Sequence, residues 1–258
     1  MADEGPWSDT PASWPDVPTG LLAVATGRVL TALSTTGVRP VQERLAAYYD
    51  VDGDDAGSTF TELAPADPYD VTAADVLAAQ LLGVAVGPAV TRRFLDHGAN
   101  RSEILAALRQ VACEDLLVAG PSTLLRMETL HLAVTGALSA DRAPGADRSV
   151  AASGLCARKR PELFPVRHGD VSEYLGLGAG SSHRIDWQVY RHLIGDRDVF
   201  RALDAARRET ISAGGGRRLR VDIYRLRLLD AALRTYTRAP DRSERAEVGA
   251  AVGAGSVL

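Results

Sequence analysis

Residues 122–138, STLLRMETLHLAVTGAL, decide the fold class. Leu124, Leu125, Met127, Leu130, Leu132, Val134 and Leu138 recur at helical rather than alternating spacing, so the run reads as a helix. His131 lies on it and reads as a core or interface histidine. Upstream, 71–86 opens with Thr72 as N-cap and Asp75 at N3, a capping-box variant, and carries Val76, Leu77, Leu81 and Val84 at the same period. Asn100 and Glu103 open another such run, with Ile104, Leu105, Leu108 and Val111 as its stripe. Further helices are expected over 21–33, 41–49, 185–194, 199–211 and 219–236. Turn chemistry separates these runs, and no alternating strand pattern stands between them. The fold class is therefore all-α, with a layout that allows two lobes around a central crossing segment.

The ends read differently. Residues 1–20 contain Trp7, Trp14 and several prolines and read as a disordered arm that docking of one indole would tether. Residues 239–258 lose periodicity and read as a disordered tail. A single helical domain is expected over 21–238.

The chain has 258 residues and a formal net charge of −4. Its cations are arginine with one exception, Lys159, a bias expected of a high-GC bacterial genome. Charge is unevenly divided: residues from 151 onward hold 19 basic against 13 acidic side chains, a division that allows a basic face on an acidic protein. Cys113 and Cys156 read as buried free thiols. With no secretory signal and no apolar run of membrane-spanning length, a cytoplasmic protein without membrane contact is expected. No cofactor motif is present. His168, Asp170 and His183 lack regular metal-ligand spacing, and the Asp50-Asp52-Asp54 run departs from a calcium loop at Asp55 and Thr61.

The chemistry-bearing residues concentrate in 143–176, APGADRSVAASGLCARKRPELFPVRHGDVSEYLG. The Arg158-Lys159-Arg160 cluster before Pro161 has two readings. It either closes a helix C-terminus with cations or forms an anion-binding patch. Ala143-Pro144-Gly145-Ala146-Asp147 resembles the hairpin of the helix–hairpin–helix DNA glycosylases, in which glycines expose backbone N–H groups to a phosphate. In this chain Asp147 stands at the second glycine. The resemblance implies a nucleophilic lysine near Ser149 and a catalytic aspartate at His168, with Asp170 two residues on. Both family residues are replaced, so lyase chemistry is not expected.

The runs AYYDVDGDD, DPYDVTAADVLAAQLLGVAV, LCARKRPELFPVRHGDVSEYLGL and YRLRLLDAALR also resemble a large actinobacterial family of uncharacterised proteins, over roughly 48–238. Its most specific part is ARKRPELFPV, and it usually has aspartate at position 168. Three functions follow as expectations. The first is a helix–hairpin–helix-like nucleic-acid-binding protein or divergent monofunctional DNA glycosylase, contacting DNA or another anion through Arg158, Lys159, Arg160, Arg167 and Gly145. The second is a non-catalytic regulatory or interaction protein. The third is a small-molecule enzyme with His168 as base and Asp170 orienting it.

Overall fold

The computed structural model describes residues 10–37, 39–139, 148–178 and 181–238. Among them the chain forms twelve α-helices and no strand, with one isolated antiparallel bridge between Asp50 and Leu219. The all-α expectation holds. In chain order the helices are α1 (Thr19–Ala32), α2 (Val41–Tyr48), α3 (Thr59–Glu62), α4 (Ala73–Leu81), α5 (Pro88–Leu95) and α6 (Ala99–Gln110). The second half holds α7 (Pro121–Leu138), α8 (Arg148–Lys159), α9 (Gly169–Leu175), α10 (His183–Gly195), α11 (Arg197–Ser212) and α12 (Arg225–Thr237). Hairpin residues 143–147, including Gly145, and tail residues 239–258 lie outside the described residues, as does Trp7.

The principal helix contacts fall into two groups. One contains α3 to α8, with α7 packed on both α6 and α8. The other contains α1, α2 and α9 to α12. Residues 160–168 link α8 to α9 and so pass from one group to the other. The apolar side chains of both groups nevertheless form one continuous core. The stripe that marks α7 in the sequence is the face it buries, with Leu124, Met127, Leu130, Val134 and Leu138 inside, while Leu125 and Leu132 remain exposed.

What fixes the crossing is a set of buried cations. Asp75 is fully buried at the first turn of α4, where its carboxylate accepts from the Thr72 backbone N–H at 2.8 Å and the Thr72 hydroxyl at 3.0 Å. The same carboxylate meets Arg158 Nε at 3.2 Å and Lys159 Nζ at 2.5 Å. The Arg158 guanidinium donates to the carbonyls of Phe60, Thr61 and Leu63. Lys159 donates to the Asp67 carbonyl at 2.8 Å. Arg160 reaches Leu108 at 3.0 Å and Val111 at 3.1 Å, closing the end of α6, and Pro68 at 2.7 Å. The three cations are only 5%, 8% and 2% exposed, which places them inside the fold and not on a basic surface. A planar guanidinium with five donors suits this work, because one side chain satisfies several loop carbonyls that would otherwise be buried unpaired.

The second group repeats the device. Arg227 bonds the Phe164 carbonyl and, at 3.2 Å, the Pro161 carbonyl, and pairs with Asp230 at 2.5 Å. Asp230 in turn accepts from the Val166 backbone N–H at 3.0 Å. Arg44 holds the carbonyls of Ala32 and Ala232, tying α1 to α12. The crossing segment is thus gripped by arginines from both sides.

Several boundaries differ from the sequence expectation. The final helix begins at Arg225 and not at residue 219, because the preceding segment is extended: Val51 N–H donates to the Arg218 carbonyl at 3.0 Å and Arg220 N–H to Tyr49 at 3.0 Å. Asp50 and Asp52 of the acidic turn pair with Arg217 and Arg218 of this extended segment. The short α3 and α5 were not anticipated. Cys156 is buried as expected, but Cys113 is exposed, because it sits between α6 and α7 rather than on a buried helix face. In the arm, Trp14 is docked and 7% exposed.

Removing the Asp75 carboxylate leaves Arg158 and Lys159 buried without their anion. Asp75→Ala is therefore expected to lower the unfolding free energy by about 3–5 kcal/mol. Urea denaturation measures this, and a loss below about 1 kcal/mol, typical of an exposed pair, would contradict the buried-clamp description.

Candidate functional site at the seam between the helix groups

The residues singled out in the sequence do not come together in one cleft. Arg158, Lys159 and Arg160 are engaged as described. His168 is the N-cap residue of α9, and its Nε2 lies 2.9 Å from Arg234 Nη1. Burial, and next the Arg234 charge, push the His168 imidazole down to about 3, so it is neutral and accepts a hydrogen bond from the guanidinium. Asp170 is exposed in the first turn of α9, where it accepts from the Thr237 hydroxyl at 2.9 Å and its own neighbour Val171 N–H at 3.0 Å. Arg167 points elsewhere. It donates to Asp186 Oδ2 at 2.5 Å and the Ser181 carbonyl at 2.7 Å, and its backbone N–H donates to Ser153 Oγ at 2.8 Å.

Arg167 and Ser153 lead instead to a cavity of about 20 Å³ where the two helix groups meet. That volume admits one water-sized group. From the first group it is lined by His131 of α7 with Ser149 and Ser153 of α8. Ser172 of α9 and His183, Asp186, Trp187 and Tyr190 of α10 line it from the second, and Pro165, Val166 and Arg167 of the crossing segment complete it.

Its titratable groups are organised. His183 Nε2 lies 3.0 Å from Glu128 Oε1, which also accepts from Arg184 Nε at 2.6 Å. Burial acts to raise the Glu128 pKa, but the bonds and charges of Arg184 and His183 outweigh it and hold the carboxyl below its ordinary value. The His131 and His183 rings are 4.7 Å apart between centroids, and Trp187 sits 4.9 Å from His183 and 5.7 Å from His131. His131 is 3% exposed, and its Nδ1 has no hydrogen-bond partner among the described residues. Burial, then the neighbouring His183, push His131 down to about 3, so it is neutral at physiological pH. An imidazole oriented by a carboxylate is the usual arrangement of a general base. A second, neutral imidazole with an open nitrogen offers a hydrogen-bonding position beside it.

The sequence holds only faint traces of this site. Glu128 and His131 are three apart on α7, and on α10 His183 lies three residues before Asp186 and four before Trp187. Each set shares one helix face, but nothing local says that the two faces meet. Among the described residues no group of three or more His, Cys, Asp and Glu side chains is arranged to hold a metal. No described helix is long and apolar enough to cross a membrane.

The neutral histidines give stability a pH dependence. A histidine whose folded-state pKa lies near 3, against 6.5 when free, binds its proton only on unfolding in that window, so stability is lost as pH falls from 6.5 towards 3. Asp230, raised by burial to about 6, works in the opposite direction, so comparison with a variant is needed to isolate one histidine. Between pH 6.5 and 4.5 the wild-type unfolding free energy should drop by about 2 kcal/mol more than that of His168→Gln. Equal drops in urea titrations would contradict a neutral His168.

No curated protein and no solved structure matches the chain. A family model does match, over residues 41–237, from α2 to the last residue of α12. The chain accordingly belongs to DUF6308, a family of unknown function.

Proposed function

We propose that this protein is a two-lobed, helix–hairpin–helix-like scaffold that takes a single water-sized polar group, free or at the tip of a ligand, into the seam and can do acid–base chemistry there through His183 and Glu128. The observation that carries this reading is His131. A buried ring nitrogen without a partner costs about 1–3 kcal/mol, and a ligand group bonding to it would offset that cost. His183, oriented by Glu128, would then stand beside the bound group as base. The resemblance to the hairpin glycosylases supports the same location. Ser149, near the position of their lysine, lines the cavity, and so does Val166-Arg167, while His168, at the position of their aspartate, is turned to Arg234.

Duplex DNA is the less favoured partner. The cations named for it at 158–160 are committed to carbonyls within the fold. Affinity that falls steeply between low and moderate salt, as several phosphate contacts require, would restore the DNA reading.

The site is tested by following the histidine ring resonances of the labelled protein against a panel of small polar fragments. Ligands that perturb His131 and His183 are expected, with affinity falling roughly tenfold or more in His131→Phe through loss of a buried hydrogen bond. Hits that map away from α7 and α10, or bind His131→Phe equally well, would contradict the assignment.

A further inference from the structure

The proline-rich arm before α1 touches this same site. Trp14 is buried with its ring centroid 5.8 Å from that of Trp187, the residue that packs on both seam histidines. Its indole Nε1 donates to Glu128 Oε2 at 3.4 Å, while Oε1 of the same carboxylate serves His183 and Arg184. Nearby, Gln188 of α10 donates to the Pro15 carbonyl at 3.0 Å, and Trp14 N–H closes a turn onto Pro11 at 2.9 Å. Apart from Pro11 and Trp14, residues 10–18 are exposed or only partly buried, and they form no helix. They also precede the family match, which begins at residue 41.

From these contacts we infer that residues 10–18 form a latch, which closes the seam site by seating Trp14 on Trp187 and Glu128. This rests on the reading of the seam as the working site. A short segment without regular structure, anchored by one indole and a few hydrogen bonds, opens at low cost compared with the helical core. Opening uncovers Trp187 and frees Glu128 Oε2, so access to His183 and its orientation change together. Trp14 is therefore a positioning residue acting through Glu128.

Histidine acylation by diethyl pyrocarbonate, resolved by peptide mass mapping on the full chain, tests the latch without any ligand. The exposed His97 is the internal reference, and His168 reports general loosening. In Trp14→Ala, acylation at His183 should rise roughly tenfold relative to His97, the factor expected when one aromatic contact and one hydrogen bond no longer hold the closed state. In Trp14→Phe, which keeps the ring packing and loses only the N–H, a smaller rise is expected, with the His183 ring resonances displaced. Unchanged labelling of His183 in both variants overturns the latch. So does a rise matched at His168, which signals loosening of the whole chain. Should Trp14→Ala not fold, Trp14→Phe alone decides. The two proposals fail separately: a seam that takes no ligand leaves the labelling result standing, and a seam that binds ligand with labelling unaffected by Trp14 removes only the latch.

Discussion

A carboxylate with no exposure to solvent, Asp75, holds two cations that follow each other in sequence, Arg158 and Lys159. Charges removed from water are stable only when they are paired and their remaining donors are satisfied. The pairing alone would not meet that condition. It is met because the guanidinium also collects three carbonyls from residues 60–63 and the ammonium a fourth from Asp67. The loop between α3 and α4 can therefore lie against the end of α8 without leaving its backbone unpaired. Burial still depresses the Lys159 pKa, even with Asp75 beside it.

From that clamp the rest of the architecture follows in order. Arg160 fixes the end of α6 to the start of the crossing segment, and Arg227 with Asp230 takes hold of the same segment at Pro161, Phe164 and Val166. Held from both sides, residues 160–168 have little freedom, and they deliver Arg167 to Asp186 and Ser153 at the seam. The polar cavity is a by-product of joining two helix groups across a rigid strap. His131 and His183 meet there because α7 and α10 are the faces so opposed. The cationic motif consequently supports function at a distance, by placing the walls of a site to which it contributes no lining residue.

The helices were legible in the sequence where an apolar stripe repeats at 3.6 residues, as along α7, and where a cap is local, as at Thr72 and Asp75. Leu219 misled, because its apolar side chain fits the period of α12 while its backbone pairs with Asp50 in a bridge set by distant residues. Of the two readings of Arg158-Lys159-Arg160, cations at a helix C-terminus fits, since Arg158 and Lys159 end α8, but their burial carries no local mark, because the acid that Arg158 meets lies 83 positions away at Asp75. The candidate site was the least legible part. Glu128 and His183 are brought together only by packing of separate helices, and Trp14, five residues before the start of α1, joins them from an arm that composition alone marks as loose.

The proposed function rests on the polar seam and the open nitrogen of His131. A crystal structure at resolution high enough to place ordered solvent and ring nitrogens examines it most directly. A solvent molecule or small solute should appear in the cavity within hydrogen-bond distance of His131 Nδ1, with His183 still paired to Glu128. A dry cavity, with the His131 ring turned so that both nitrogens bond to protein atoms, would contradict it.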